Sequence, residues 1–312
     1  MIVFDRITWL RILFRWHGSA IQKVWRRVLF TTALAAAVTI AHRYHDTMFH
    51  EMLTPLPFTL IGVALGIFLG FRNNTSYDRF WEGRKLWGGI VNEARTMTRQ
   101  ILTLVGPQEQ DAESLAVRKA LVYRTIGYVH ALRKHLRDDR DFEELRPFLP
   151  APEFAKLERE LNPPVAVLQR MGDEFRRCWN LGWVHPMHFP ALESTLTNFT
   201  NLQGGCERIK STPIPFSYNI LLHRIVAVYC VFLPVGIIDQ VGVGTPAVVA
   251  LVSYAFFGLD AVGEEIENPF GLDANDLPLS AITRMIEVNL RQRLGETDLP
   301  PLRKPDERHV LI

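Results

Sequence analysis

The stretch MLTPLPFTLIGVALGIFLGF, residues 52–71, decides the fold, because it contains no charged side chain between Glu51 and Arg72. A helix of about 20 apolar residues is long enough to cross the hydrocarbon core of a bilayer. A second charge-free run covers residues 241–259. Both runs therefore predict transmembrane helices.

The composition of the whole chain fits a membrane protein with a large water-exposed part. Its 312 residues include 48% hydrophobic and 22% charged side chains, with a net charge of +2 and a mean hydropathy of +0.04. The charge balance is too mild to predict nucleic acid as a partner. The cysteines form no close pair and no CxxC motif, so the sequence predicts neither a disulfide framework nor a zinc site. They are Cys178, Cys206 and Cys230.

Two shorter apolar runs lie beside the long ones and complete two helical hairpins. Residues 28–41 follow Arg26 and Arg27, and residues 225–238 follow Arg224, so basic side chains can reach the lipid headgroups. Runs of this length are also compatible with buried core helices. We expect four transmembrane helices, at residues 28–46, 52–71, 218–238 and 243–262.

Basic residues predict the orientation of these helices. Residues 1–27 carry six Lys or Arg side chains against one Asp, whereas the two short connections contain only Arg43. By the positive-inside rule, both termini and the long segment between the hairpins are cytoplasmic. Residues 1–27 mix aromatic and basic side chains without a cleavable signal pattern, which predicts an interfacial helix in contact with lipid.

The charged residues concentrate in a cytoplasmic part that has helical periodicity. Apolar residues recur at helical spacing in four segments, with prolines marking breaks between some of them, and no convincing strand is present. The segments are 81–105, 114–137, 152–180 and 191–209. The predicted fold class is an all-α integral membrane protein whose four transmembrane helices continue into a cytosolic helical bundle. Its parts are an interfacial helix at 1–27, a first hairpin at 28–71, a cytosolic region at 72–217, a second hairpin at 218–262, and a cytosolic helix with an extended tail at 263–312.

No catalytic motif is present, and the candidate metal ligands are unconvincing. His185 and His188 are three residues apart, but Pro186 and Pro190 break the helix that would align them. An acidic cluster after the fourth apolar run predicts a solvated face or helix cap, and a calcium site is the alternative because oxygen ligands suit this cation. The cluster consists of Glu264, Glu265, Glu267, Asp273 and Asp276. We expect no enzyme activity, no cofactor and no metal.

The second predicted span has small residues on one face and apolar rows on the others. Gly62, Gly66 and Gly70 repeat every four residues, a spacing that favours close helix packing, which we expect within the chain. In a symmetric oligomer with this helix around its axis, an apolar row forms stacked rings that gate by dewetting. Periodicity alone does not decide which row lines a pore. The rows are Val63, Ile67 and Phe71 on one face and Leu60, Ala64 and Phe68 on another.

Several stretches resemble the prokaryotic branch of the bestrophin family. They are WLRILFRWHGSAIQKVWRR (9–27), RNNTSYDRFWEGRKLWG (72–88), GCERIKSTPIPFSYNILLHR (205–224) and EEIENPFGLDANDLPL (264–279). The resemblance implies a homopentameric ion channel of the bacterial inner membrane, with one central pore that conducts monovalent ions. It also implies that the second helix of each subunit lines a hydrophobic neck.

The resemblance assigns two constrictions to residues of this sequence. The GFRN step places the neck on Val63, Ile67 and Phe71, the first of the two apolar rows. The second constriction of the family lies in the cytosolic vestibule, and counting back from GCERI places it at Met187, with Phe189 as the neighbouring alternative. The acidic run that binds calcium in animal members is largely missing here, so no metal is assigned.

Ion selectivity follows only from the branch that the sequence resembles. Apolar rings cannot select the sign of an ion by Coulomb attraction. The bacterial branch is associated with monovalent cations, so we expect sodium to permeate in preference to chloride, with an anion channel of the animal type as the alternative. A non-conducting membrane scaffold is a further alternative. A proton-coupled carrier is disfavoured, because the second and fourth apolar runs lack ionisable residues.

Overall fold

A computed structural model describes residues 1–3, 16, 18–44, 55–107 and 111–312, and these residues are all-α. Most of the predicted interfacial helix and the loop of the first hairpin lie outside the described residues. The helices are α1 (Ile21–Tyr44), α2 (Pro55–Leu104), α3 (Ala112–Leu136), α4 (Ala151–Leu157), α5 (Pro163–Asn180), α6 (Phe189–Ser211), α7 (Phe216–Val241), α8 (Thr245–Glu267) and α9 (Leu279–Arg293), with 3₁₀ turns at Glu143–Leu145 and Gly242–Gly244.

Three segments of the described chain are long and apolar enough to cross a membrane. They are Ile21–Tyr44, Pro55–Leu104 and Phe216–Glu267. The third segment contains both α7 and α8, which the turn at Gly242–Gly244 separates. The chain therefore has the long apolar helices that its charge-free runs predict.

The second of these helices does not end where the sequence suggests. We expected the span to end at Phe71, but α2 continues to Leu104 and includes the segment predicted as a separate cytosolic helix. No proline occurs between Pro57 and Pro107, so no backbone donor is lost along this stretch. A change from apolar to charged side chains changes the environment that suits a helix from lipid to water, but it does not break the backbone hydrogen bonds. The helix therefore continues past Arg72.

One compact unit is formed by the described residues of 4–80 and 213–269. Its core takes side chains from α1, the first half of α2, α7 and α8. These side chains are Val24, Ala35, Phe58, Leu65, Leu69, Val226, Cys230, Leu233, Val249, Phe257 and Ala261. The hydroxyl of Thr31 donates a hydrogen bond of 3.0 Å to Ser253 Oγ and joins α1 to α8 in this apolar interior. These side chains form two buried clusters, and all four helices contribute to both.

The other compact unit is formed by the described residues of 1–3, 81–212 and 270–312. Its largest buried side chains include Trp87 from α2 and Tyr128 from α3. The Tyr128 ring packs against the ring of Phe199 at 4.9 Å, and its hydroxyl donates to the Phe199 carbonyl at 3.2 Å. This contact fixes α3 to α6.

Local capping explains where two helices of this unit, α3 and α5, begin. Asp111 Oδ1 accepts a hydrogen bond of 2.7 Å from the Ser114 amide and caps α3. Asn162 precedes Pro163 at the start of α5, and this Asn–Pro step divides the predicted helix at 152–180 into α4 and α5. The break falls beside Pro163 and Pro164, as these two prolines predict.

The first residues of the chain pair with its last ones. The Leu311 amide donates to the Met1 carbonyl at 2.8 Å, and the Val3 amide donates to the His309 carbonyl at 3.0 Å. Ile2 and Val310 form an isolated antiparallel bridge. The tail is thus extended, as its sequence predicts.

Replacing Gly236 by alanine should destabilise the unit that contains α7. A Cβ at this position would lie 2.1 Å from the Phe58 ring, so the ring must shift in a packed core. We expect a loss of about 1–3 kcal/mol in the free energy of unfolding, measured by denaturant titration of the detergent-solubilised protein.

The matched control for this substitution is Gly204→Ala on α6. No described atom lies within 4 Å of the Cβ position there, and alanine is the better helix former by about 1 kcal/mol. Gly204→Ala should therefore leave the stability unchanged or raise it. Equal stability of the two variants would contradict the close approach of α2 and α7.

Candidate functional site

The first half of α2 has a buried face and an exposed face. The buried stripe consists of Phe58, Leu65, Leu69, Arg72 and Ser76. Val63, Ile67 and Phe71 lie on the opposite side of the helix, and their exposed fractions are 61%, 53% and 62%. The predicted neck residues therefore form one exposed apolar row.

The second apolar row is exposed as well. Leu60 and Phe68 are both open to the surface, so burial within one chain does not separate the two rows. An exposed apolar surface of this extent on a membrane helix can face lipid, a second protein surface or a pore.

The three glycines of α2 do not all pack against a neighbouring helix of the same chain, as we expected from their spacing. A Cβ at Gly62 would lie 2.7 Å from the Tyr229 hydroxyl oxygen, so this glycine permits close contact between α2 and α7. At Gly66 and Gly70 no described atom lies within 4 Å of the Cβ position. Packing within the chain therefore involves Gly62, and the described residues leave the other two glycines open.

The two candidates for the cytosolic constriction have different surroundings. Met187 lies in the turn before α6 with 79% of its surface exposed. Phe189 begins α6, and its ring lies 5.8 Å from the ring of Trp179. Met187 is therefore the side chain that is available to line a passage.

The histidines beside Met187 do not form a metal centre with other described residues. The rings of His185 and His188 are 5.5 Å apart, and His185 Nδ1 accepts a hydrogen bond of 3.2 Å from the Met187 amide. Within the described part of the chain, no group of three His, Cys, Asp or Glu side chains could hold a metal ion.

A buried ion pair holds α2 immediately after the neck row. Arg72 is 1% exposed, and its Nη1 donates to Asp260 Oδ1 at 2.5 Å and to the Asp260 carbonyl at 3.2 Å. His223 on α7 approaches from the other side, with Nδ1 2.5 Å from Asp260 Oδ2. One carboxylate thus connects α2, α7 and α8.

The acidic cluster after the fourth apolar run is partly structural. Glu267 Oε1 accepts a hydrogen bond of 2.8 Å from the Ile214 amide, and its backbone carbonyl accepts one of 3.0 Å from Arg79 Nε. Asn219 Nδ2 lies 3.4 Å from Glu267 Oε2. Glu267 therefore fixes the start of α7 and a second arginine of α2. Because Arg72 and Arg79 both bond to α8, this unit extends past the predicted boundary at residue 71 to residue 80.

A second ionisable cluster lies in the unit that contains α3. His130 Nε2 is 3.4 Å from Glu287 Oε2, and its Nδ1 is 3.8 Å from Glu144 Oε1, which also contacts Arg133. Burial lowers the pKa of His130 and so favours its neutral form. The cluster connects α3, α9 and the 3₁₀ turn at Glu143–Leu145, and a structural role accounts for these contacts.

The thiols in this unit are unsuited to nucleophilic or metal chemistry. Burial raises the pKa of Cys178 to about 11 and that of Cys206 to about 12. Both thiols therefore remain protonated near neutral pH, whereas the thiolate is the reactive and metal-binding form.

Sequence reasoning missed the pairing of Arg72 with Asp260. We treated Arg72 as the charged boundary of a span. The available signal was that the two longest apolar runs are bounded by charges of opposite sign, Arg72 after the first and Asp260 after the second. Opposite charges at the ends of packed membrane helices favour a buried pair.

Replacing Asp260 by asparagine should strongly destabilise the unit around α2. The substitution leaves the buried guanidinium of Arg72 without its counter-charge, which costs about 3–5 kcal/mol in the free energy of unfolding. Denaturant titration of the solubilised protein measures this loss. Asp173→Asn is the control, because its ion pair with Arg170 is half-exposed and its removal should cost about 1 kcal/mol or less. Similar losses in the two variants would contradict a stabilising buried pair.

Proteins of known name match this chain along almost its whole length. The family model described as bacterial/fungal bestrophin protein matches residues 1–292. A voltage-dependent anion channel-forming protein of Ralstonia nicotianae is 40% identical over 300 residues, which is 96% of each chain. The voltage-dependent anion channel-forming protein YneE of Salmonella typhi is 37% identical over 311 residues, the full length of both chains.

A solved structure has the same fold. The crystal structure of a bacterial bestrophin homologue from Klebsiella pneumoniae matches with a TM-score of 0.82 and 32% identity, over 88% of this chain and 99% of the other. The family match, the full-length relatives and the shared fold confirm the resemblance of the motifs. This chain, which is not an enzyme, therefore belongs to the bacterial and fungal bestrophin family of channel-forming membrane proteins.

Proposed function

We propose that this bestrophin-type channel conducts anions through a pore whose neck is formed by Val63, Ile67 and Phe71. The anion assignment draws on the names of the relatives, which are called anion channel-forming proteins and match over nearly the full chain. These names favour the anion alternative over the sodium preference that we expected from the branch. The neck assignment draws on the exposed apolar row opposite the buried face of α2.

The proposed assembly follows the family resemblance. Five copies of the chain surround one axis in the bacterial inner membrane, with both termini in the cytoplasm. α1, the first half of α2, α7 and α8 are the four membrane helices of each copy. α2 faces the axis, so each of its three neck residues contributes to a separate apolar ring.

A pore of this kind is controlled by the hydration of its narrowest part. An apolar ring offers no hydrogen bond to water or ions, so a narrow ring dewets and blocks ions, and a wider ring conducts. Met187, the proposed cytosolic constriction, adds a second apolar position with a flexible side chain. Neither position carries charge, so the sign of the permeant ion depends on charged groups elsewhere along the pathway.

One exposed carboxylate favours cations as a second candidate. Asp78 is exposed on α2 and lies eleven residues after Ile67, which is about three helical turns. It therefore shares the face of the neck row. In the proposed assembly, a ring of five such carboxylates lies on the cytosolic side of the neck, and acidic rings favour cations.

Reversal potentials distinguish the two candidates. Purified protein in planar bilayers with asymmetric NaCl should give a reversal potential close to the chloride equilibrium value, and Asp78→Asn should keep it there. A value close to the sodium equilibrium potential, displaced toward zero by Asp78→Asn, would replace the anion proposal with the cation one. Asp173→Asn, an exposed substitution on α5, controls for a general effect of charge. Absence of current would favour the alternative of a non-conducting membrane scaffold.

Substitution of Ile67 by alanine tests which row lines the neck. The smaller side chain widens the ring and lowers the cost of hydrating it, so we expect single-channel conductance to rise severalfold. Phe68→Ala is the matched control, because it shortens an exposed apolar side chain of the second row. A rise with Phe68→Ala and none with Ile67→Ala would move the neck to the second row.

A further inference from the structure

A cavity lined by arginines lies between α2 and α9, in the unit formed by residues 1–3, 81–212 and 270–312. Its volume is about 570 Å³, within the range of about 300–1,000 Å³ that is usual for small-molecule sites. Arg95 and Arg99 contribute from α2, and Arg293 contributes from α9. Among the described residues that line the cavity, none is an aspartate or a glutamate.

The positive charge of this cavity is not neutralised by the described chain. Neither Arg99 nor Arg293 forms an ion pair or a side-chain hydrogen bond with another described residue. Arg284 and Arg291, which are also on α9, both pair with Glu287. Arg99 and Arg293 thus have no acidic partner among the described residues.

The arginines and Asn289 supply the cavity with hydrogen-bond donors. Arg95 Nη2 donates to Asn289 Oδ1 at 2.9 Å, which leaves the amide group of Asn289 free to donate. Arg95 and Arg99 are four residues apart on one helix, where like charges repel each other and weaken the helix slightly. A bound anion would remove this repulsion, and a cation would increase it.

We propose that this cavity binds a phosphorylated organic molecule with at least two negative charges. Guanidinium groups match phosphate oxygens in charge and in paired donor geometry, so three of them suit a diphosphate. The volume exceeds what an inorganic phosphate fills, and Leu102 and Leu290 supply an apolar surface for the organic part. The cavity lies in a different unit from the neck row, and the proposal does not depend on which ion the channel conducts.

Calorimetric titration of the full-length, detergent-solubilised protein with ADP tests the proposal. ADP should bind to the unmodified protein, and the Arg99→Gln/Arg293→Gln double variant should bind it at least tenfold more weakly. Pyrophosphate should displace ADP, because the phosphates are the part recognised, and adenosine should not. The thermal unfolding midpoint of the double variant should stay close to that of the unmodified protein, since both arginines are exposed.

Arg176→Gln is the matched control, because Arg176 is an exposed arginine on α5 outside the cavity. It should bind ADP as the unmodified protein does. Absence of ADP binding to the unmodified protein would overturn the proposal. This result is expected if a carboxylate of a neighbouring copy fills the cavity. The proposal would also be overturned if Arg176→Gln weakened ADP binding as much as the double variant does, or if pyrophosphate failed to displace ADP.

Discussion

The ion pair between Arg72 and Asp260 is the constraint on which the orientation of α2 depends. A guanidinium buried among apolar helices has to face its counter-charge, because an unpaired buried charge costs several kcal/mol. Once Arg72 points into the core, the 3.6-residue period turns Leu65 and Leu69 inward as well. Ile67 then faces outward together with the rest of its row. A polar contact inside the unit thus determines which apolar side chains the helix presents outside it.

The sequence predicts the membrane helices well, because length and the absence of charge are strong signals. In a bilayer the backbone N–H and C=O groups have to bond to each other, which favours long helices. The sequence predicts the ends of helices poorly where a helix passes from apolar to charged side chains while its backbone hydrogen bonds continue. Arg72 marks the end of an apolar run, and we therefore placed a boundary there, yet α2 continues to Leu104. At 152–180 the helical period continues past a break, and only Pro163 and Pro164 mark it.

The candidate site is predictable in part. Features formed by residues close together in the sequence can be predicted, and contacts between distant residues cannot. The rows of α2 follow from a four-residue period within one helix, so their positions can be derived from sequence. The open surface at Gly66 and Gly70 cannot, because periodicity does not reveal whether a neighbour is present. The arginine cavity brings together Arg99 and Arg293 from distant parts of the chain, and only the fold places them side by side.

The sequence separation within the buried ion pair has a consequence for biosynthesis. Arg72 precedes Asp260 by 188 residues, and at about 5–20 residues per second the ribosome needs roughly 10–40 s to make the intervening chain. Throughout that interval α1 and α2 lack α7 and α8, which complete their core, and the Arg72 guanidinium lacks its counter-charge. α8 supplies the carboxylate only after residue 260 has been made, so the final packing of α2 is a late step in the folding of the chain.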